Sequence, residues 1–234
     1  MHIDDSRAAL LDAGERLIAE RGVEVPLRDI AAAAGQRNNS AVHYYFDSRT
    51  GLIEAIVERR MNWLEDRRMR LLAEHEADGT AHEVHTLVAM LAAPILELVG
   101  TAGVTHYGRF LEVLRAHPVI ADARRLAGAD RAAVRIIAAR LDAALPQLPP
   151  RRRRQRLETM ATVMFALFAD YERAVESGVR TANSEQDTTE IIDMIVAMLT
   201  VPVRDSAPSA ATDLADPAPT QPNLSHVQTP MFSA

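Results

Sequence analysis

Apolar residues recur every three or four positions through most of the chain, which is the spacing of one face of an α-helix. In the first segment, residues 6–21, they include Leu10 and Leu17, and Gly22 follows as a helix stop. Apolar and polar residues nowhere alternate over the length of a strand. The pattern therefore predicts an all-α protein with about nine helices.

Residues 27–46 have the layout of two short helices joined by a sharp turn. Ile30 belongs to a small apolar face, and Gly35 permits the turn. The second helix, residues 40–46, is crowded with polar and aromatic side chains of the kinds that contact base edges and phosphates. This helix-turn-helix predicts a three-helix DNA-binding domain over residues 1–47.

Start signals predict the next two helices. Ser48 caps a long helix that runs to about residue 76, with the arginine pairs 59–60 and 67–68 expected on its outer side. Thr80 with Glu83 makes a capping box that opens a fifth helix. A proline at position 94 predicts a kink or an interruption inside that helix.

Prolines and glycines delimit the remaining predicted helices. A sixth helix covers residues 104–114, and Pro118 starts a seventh that runs to about Leu145. An eighth covers residues 151–177, and Ser184 caps the last one. We expect these elements to form a helical ligand-binding and dimerisation domain over residues 48–203.

The eighth predicted helix carries an apolar seam with the spacing of a heptad repeat. Such a seam, next to an apolar last helix, favours a bundle between two subunits, although ordinary packing within one subunit explains it as well. The candidate dimer-interface residues are Leu157, Ala161, Met164, Phe168, Tyr171, Ile192, Ile195 and Leu199.

Composition narrows the class of protein. The chain has 234 residues, no cysteine and 26 basic residues, all of them arginine. Its net charge of −6 argues against a protein that coats nucleic acid everywhere, but allows a local DNA-reading patch. No apolar run approaches the roughly 20 residues of a membrane span, so we expect a cytoplasmic protein. Residues 204–234 have the composition of a disordered tail.

The sequence offers no catalytic motif, neither a phosphate-binding loop nor a zinc-protease signature nor a serine elbow, and it predicts neither an enzyme nor a cofactor. His82 and His85 are three apart, a spacing that permits metal binding, but exposed histidines on a surface helix explain it, and no metal site is assigned. The arginines 151–154 and 156 form the densest charge run. A solvated helix start, an anionic ligand group and an acidic partner face are its alternative explanations.

Aromatic residues of the second domain lie on helices that are able to face one another. They either pack in the core or line a cavity for a small apolar or amphipathic effector. A histidine beside them offers a polar anchor, and a methionine offers an adaptable wall. The candidate ligand-binding residues are Met90, His106, Tyr107, Phe110, Phe165 and Phe168.

The helix-turn-helix resembles that of the TetR family of bacterial transcriptional regulators. The resemblance is carried by the pairs Ile-Ala at 30–31 and Ala-Gly at 34–35, by Tyr-Tyr-Phe at 44–46, and by the run from Phe46 to Leu52. Three residues depart from the family pattern. Its phosphate-contacting tyrosine falls on His43, the lysine that starts its fourth helix falls on Arg49, and Pro26 stands where the family prefers Ser or Thr as a helix cap. The stretch between Gly35 and Phe46 is also one residue longer than usual.

The resemblance implies a homodimeric transcription factor, expected to be a repressor, that places its third helix in the major groove of a palindromic double-stranded operator. It also implies that an effector in the second domain tilts the fourth helix. The expected phosphate contacts are Arg28, His43 and Arg49, and the expected contacts on or near bases are Arg37, Asn38, Asn39, Ser40 and Tyr44. The alternative is a ligand-binding or scaffold protein with a vestigial DNA-binding head.

Overall fold

The computed structural model describes residues 3–38, 40–101, 105–116 and 131–203. All regular secondary structure within these ranges is helical, which confirms the predicted all-α class. The helices are α1 Ile3–Arg21, α2 Leu27–Ala33, α3 Ala41–Phe46, α4 Arg49–Ala77, α5 Val84–Thr101, α6 Tyr107–Arg115, α7 Ala132–Ala143, α8 Pro150–Glu176 and α9 Glu185–Thr200. No helix among these is long and apolar enough to cross a membrane.

The chain divides after residue 202, and the described residues up to that point form one compact unit. The helix-turn-helix and the helices that follow it are therefore joined by contacts inside a single unit, and the division near residue 48 stays a prediction. The segment predicted as a disordered tail, 204–234, lies outside the described residues.

Helix α4 begins where its capping serine predicts. The Ser48 hydroxyl accepts a hydrogen bond from the Gly51 amide at 3.0 Å. Gly51 itself is required, because a Cβ there would lie 2.1 Å from the carbonyl oxygen of Phe46. The first turns of α4 then bury Leu52 and Ile56 against α1. Since α4 also packs on α5 and α7, it connects the helices α1–α3, here called the head, with the core formed by the later helices.

Helix α5 differs from its prediction at its start and at its proline. The Thr80 hydroxyl is 2.8 Å from Nδ1 of His75, so the expected capping box does not form and the helix begins only at Val84. Pro94 lies within α5 without interrupting it. The seventh predicted helix is described in its last part as α7, and its expected start at Pro118 lies outside the described residues.

A close contact between α6 and α8 lies at the centre of the core. Gly108 allows it, because a Cβ at this position would lie 2.9 Å from the backbone of Phe168. The carboxylate of Glu172 accepts hydrogen bonds from the amides of Gly108 at 2.7 Å and Arg109 at 2.9 Å. A carboxylate at this place satisfies amides that have no partner within their own helix. Glu172 therefore joins α8 to the first turn of α6.

Burial raises the pKa of Glu172 to about 7, although the hydrogen bonds from Arg109 and Gly108 act in the opposite direction. The side chain is only 1% exposed. The protonated form of Glu172 is therefore favoured in the folded protein more than in the unfolded chain.

We expect Glu172→Gln to remove a pH-dependent part of the stability. Because the folded-state pKa lies above the unfolded value near 4.5, the contribution of Glu172 is most favourable below pH 4.5 and is lost as the pH rises through 7. Between pH 5 and 8 the wild type should lose about 2 kcal/mol of unfolding free energy relative to the variant. Denaturant melts of both proteins at several pH values measure this, and a difference that stays constant would contradict the raised pKa.

Candidate functional site

Helix α3 is anchored by one side and leaves the other open. The anchored side consists of three buried residues, Ala41, Val42 and Phe46. The exposed side carries residues at positions i, i+3 and i+4, which share one face of a helix: Ser40, His43 and Tyr44. The helix therefore presents polar and aromatic groups on a rigid support.

Two of these groups are held in place locally. Nδ1 of His43 donates to the Asp47 carbonyl at 2.9 Å, which leaves the other ring nitrogen for another partner. Tyr44 is 76% exposed and packs edge-on against Tyr45, with ring centroids 4.9 Å apart. An aromatic ring this exposed buries little apolar surface within the subunit, so packing alone does not account for it.

The turn before α3 extends the same exposed surface. Arg37 and Asn38 are both exposed, and the Asn38 side chain accepts a hydrogen bond from the Ser40 amide at 2.9 Å. Arg28 on α2 is also exposed and lies 3.6 Å from Asp29, an ion pair too open to solvent to hold the guanidinium firmly. Asn39 lies outside the described residues.

Arg49 requires a correction. The sequence places it at an exposed helix start, free to hold a phosphate, but the side chain is half-buried. Its Nη1 donates to the carbonyl oxygens of Val23 at 2.5 Å and Val25 at 2.6 Å. Arg49 therefore ties the first turn of α4 to the loop between α1 and α2, and its substitution would disturb the head as well as any contact to DNA.

The predicted dimer seam is also corrected. Five of its members are buried within one subunit and have no surface left to offer a partner: Phe168, Tyr171, Ile192, Ile195 and Leu199. Met164 is buried as well, and it lines an internal cavity together with Leu157 and Ala161. The heptad spacing of the apolar residues on α8 thus reflects packing within one subunit, where α8 and α9 pack against α5 and α6. The exposed apolar residues on α9 and just after it are Met194 and Val201.

The predicted ligand-binding residues separate into three groups. Tyr107, Phe110 and Phe168 are core residues with no more than 1% exposure, and Met90 is likewise buried. The histidine at position 106 borders a polar cleft beside α1, α2 and α4. Phe165 alone lines the internal cavity. Most of the predicted ligand-binding residues therefore pack in the core and do not line the internal cavity.

The internal cavity has a volume of about 150 Å³ and lies between α4, α5, α6, α7 and α8. Its walls are apolar apart from one guanidinium. They include Met61, Leu91, Met160, Met164 and Phe165. The arginines of the 151–156 cluster do not line it. Two of them are used within the subunit, since Arg153 pairs with Asp142 and Arg156 donates to the Leu199 carbonyl, both at 2.7 Å.

Arg68 is the charged group in the cavity wall, and the sequence analysis placed it outside. It is 3% exposed, and burial lowers its pKa to about 10. A signal was present in the sequence, because position 68 lies four residues after Leu64 and four before Leu72, on the stripe of α4 that is buried. The expectation that Arg68 faces solvent rested on its residue type and not on its position along the helix.

Arg60 is a second inward-facing arginine that was expected outside. Its Nε and Nη2 donate to the two carboxylate oxygens of Glu15 at 2.8 and 2.9 Å. Glu15 is 2% exposed and also accepts from the backbone amide of His106 at 3.4 Å. One carboxylate therefore connects α1, α4 and the start of α6. The sequence carried a signal for this pair as well. Glu15 lies four residues after Leu11 and three before Ile18, so it falls on the apolar side of α1.

We expect Arg68→Met to raise the melting temperature. The substitution removes a buried cation, whose desolvation costs on the order of several kcal/mol, and adds an apolar side chain to an apolar cavity. Arg67→Met is the matched control, because Arg67 makes a solvent-accessible bidentate pair with Glu97, at 3.0 Å for each bond. A lower melting temperature for Arg68→Met than for Arg67→Met would show that the buried cation stabilises the fold.

Two family models match the chain. The model described as "Bacterial regulatory proteins, tetR family" matches residues 10–56, and that described as "Tetracyclin repressor-like, C-terminal domain" matches residues 89–200. Together they cover more than half of the sequence. No curated protein matches the chain.

Solved structures match along most of the chain. SmeT, the repressor of the Stenotrophomonas maltophilia multidrug efflux pump SmeDEF, is 21% identical, with 86% of this chain and 100% of that chain covered and a TM-score of 0.44. The SmeT–triclosan complex is 22% identical, with 86% and 99% covered and a TM-score of 0.44.

Proposed function

The chain belongs to the TetR family of bacterial regulatory proteins, and we propose that it is a transcriptional repressor that binds a palindromic operator as a homodimer and leaves it when a small effector binds. The observation that carries this proposal is the exposed face of α3. The apolar residues of α3 are buried and anchor the helix, while Ser40, His43 and Tyr44 face solvent. These side chains suit a helix that enters a major groove.

The contacts within the head support a division of labour among its polar residues. Arg28 and His43 have groups left for phosphates, and Arg37, Asn38, Ser40 and Tyr44 are proposed to lie at or near the bases. Asn39 keeps the same proposed role from the sequence alone. Arg49 is proposed mainly as a brace that fixes the angle between α4 and the head, since its Nη1 is engaged by two carbonyl oxygens.

Helix α4 supports the proposed effector response. Its first turn is tied to the head through Arg49, its middle is paired with α1 through Arg60, and Met61 and Arg68 line the cavity. A ligand that displaces the cavity wall therefore acts on the same helix that orients the head. A shift of that helix would change the separation of the two heads of a dimer and so their fit to two half-sites.

We expect Tyr44→Ala to weaken operator binding without lowering the melting temperature, because the ring is exposed and buries little surface in the subunit. Arg28→Gln should weaken binding too, and should flatten the plot of log affinity against log salt by roughly 0.9. Fluorescence anisotropy with a duplex from the DNA upstream of the protein's own gene measures both effects.

Arg152→Gln is the control for charge, since it removes the same charge from an exposed position on α8. If Tyr44→Ala and Arg28→Gln bind as the wild type does, α3 and α2 are not at the DNA. If the wild type binds no duplex at any salt concentration, the alternative of a ligand-binding or scaffold protein with a vestigial head is the better reading.

We propose that the dimer forms through the exposed faces of α8 and α9 rather than through the buried seam. Met194 is 44% exposed on α9, and Val201 follows that helix at 53%. Two exposed apolar residues near the end of the helical region are suited to the centre of an isologous contact, in which the same patch of each subunit meets its copy.

Met194→Arg should convert the dimer to a monomer, because a symmetric contact would bring two unpaired charges together in an apolar patch. Met69→Arg is the matched control, since Met69 on α4 is exposed to a similar extent, 42%. Sedimentation velocity distinguishes the species. A dimer that survives Met194→Arg but is lost in Met69→Arg would move the interface to α4.

A further inference from the structure

The cavity wall contains a guanidinium, that of Arg68, whose donors are only partly satisfied. Nη2 of Arg68 donates to the Leu91 carbonyl at 3.0 Å, and its Nε has no hydrogen-bond partner. The charge of a carboxylate on the preceding turn of α4 also acts on this guanidinium. Glu65, one turn earlier on α4, uses one oxygen to accept from the Ala133 amide at 2.9 Å and leaves the other unpartnered.

A second buried polar group near Arg68 is also unsatisfied. The hydroxyl of Tyr107 has no partner, and its residue is completely buried. Burial raises the pKa of this phenol, while the nearby guanidinium of Arg68 lowers it, so the two groups are close enough to interact. Unpaired buried donors are uncommon in folded proteins. Of these two residues Arg68 lines the cavity and Tyr107 does not, so Arg68 is the one that a ligand in the cavity would satisfy.

The turn of α5 that faces Arg68 contains a proline. Pro94 has no amide hydrogen, so the Met90 carbonyl lacks its usual donor within the helix. Arg68 donates to the carbonyl of the next residue, Leu91. The guanidinium is thereby fixed at the cavity wall by a single bond, with most of its five N–H donors left over.

We propose that the cavity binds a small aromatic or short-chain aliphatic carboxylate, whose oxygens pair with Arg68 and whose apolar part fills the remaining space. A carboxylate matches the planar fork of a guanidinium, and one anionic group balances the one cation of an otherwise apolar wall. This inference rests on the proposed function, because it names the class of effector for the same cavity.

The volume restricts the size of the ligand. An apolar cavity of about 150 Å³ holds a molecule the size of benzene, whereas drug-sized ligands occupy about 300 Å³ or more. The cavity is too small to hold an acyl thioester of coenzyme A as a whole, and the arginines 151–156 do not line it to meet its phosphates. A single ring or a chain of a few carbons with one carboxylate fits both the volume and the charge.

Calorimetric titration of the full chain with benzoate, hexanoate and neutral benzyl alcohol tests the proposal. Benzoate or hexanoate should bind the wild type at concentrations up to about 10 mM, and Arg68→Met should weaken that binding by about tenfold or more while leaving benzyl alcohol as tight or tighter. Arg67→Met should bind both acids as the wild type does. Acids that do not bind, or that bind Arg68→Met equally well, would overturn the proposal.

A second variant keeps the test independent of whether Arg68→Met folds. Ala161→Phe leaves Arg68 in place and fills the cavity, so it should abolish binding of benzoate and benzyl alcohol alike. If benzoate still binds the Ala161→Phe variant, the ligand binds outside the cavity and the proposed site is wrong.

DNA binding is measured separately, by anisotropy with and without saturating benzoate. A chain that binds benzoate through Arg68 but binds no duplex would support the site and refute the proposed function. A chain that binds the duplex but neither acid would refute the site alone.

Discussion

The bidentate pair between Glu15 and Arg60 determines how the head meets the core. Both charges are largely withdrawn from water. Removal of Glu15 would leave the Arg60 guanidinium without its bidentate partner, whereas removal of Arg60 would leave Glu15 with only the longer contact of 3.7 Å to Arg59. The same carboxylate accepts from the backbone at the start of α6. Three helices thus meet at one side chain. The angle between the DNA-reading head and the rest of the subunit is set at this point.

Helix α4 extends this junction in both directions. It has 29 residues, and about 28 Å of helix separate its start at Arg49 from Arg68 at about 1.5 Å per residue. Arg49 braces the start against two carbonyl oxygens, Arg60 fixes the middle, and Arg68 meets the cavity. Three arginines on one helix therefore mark the head, the junction and the cavity in order along the chain.

The sequence predicted the class of fold and the exposed face of α3 because both depend on local signals, namely helical periodicity and capping residues such as Ser48 and Ser184. It misplaced what depends on tertiary contacts. The heptad spacing of α8 indicated an apolar stripe correctly, but a stripe does not say whether its partner is another subunit or another helix. Arg60 and Arg68 were assigned to solvent because residue type outweighed their positions on the buried stripe of α4. The Thr80 hydroxyl was taken by His75, a partner that spacing alone does not reveal.

The buried cation of Arg68 also affects the steady-state abundance of the protein in the cell. An arginine stays charged in neutral solution even when burial lowers its pKa to about 10, so Arg68 does not avoid its desolvation cost by losing a proton. Any anion that pairs with Arg68 adds to the stability of the folded form by mass action. Proteases degrade the unfolded fraction, and a change of one or two kcal/mol alters steady-state abundance several-fold. The proposed site would thereby couple the lifetime of the protein to the supply of the carboxylate that binds there.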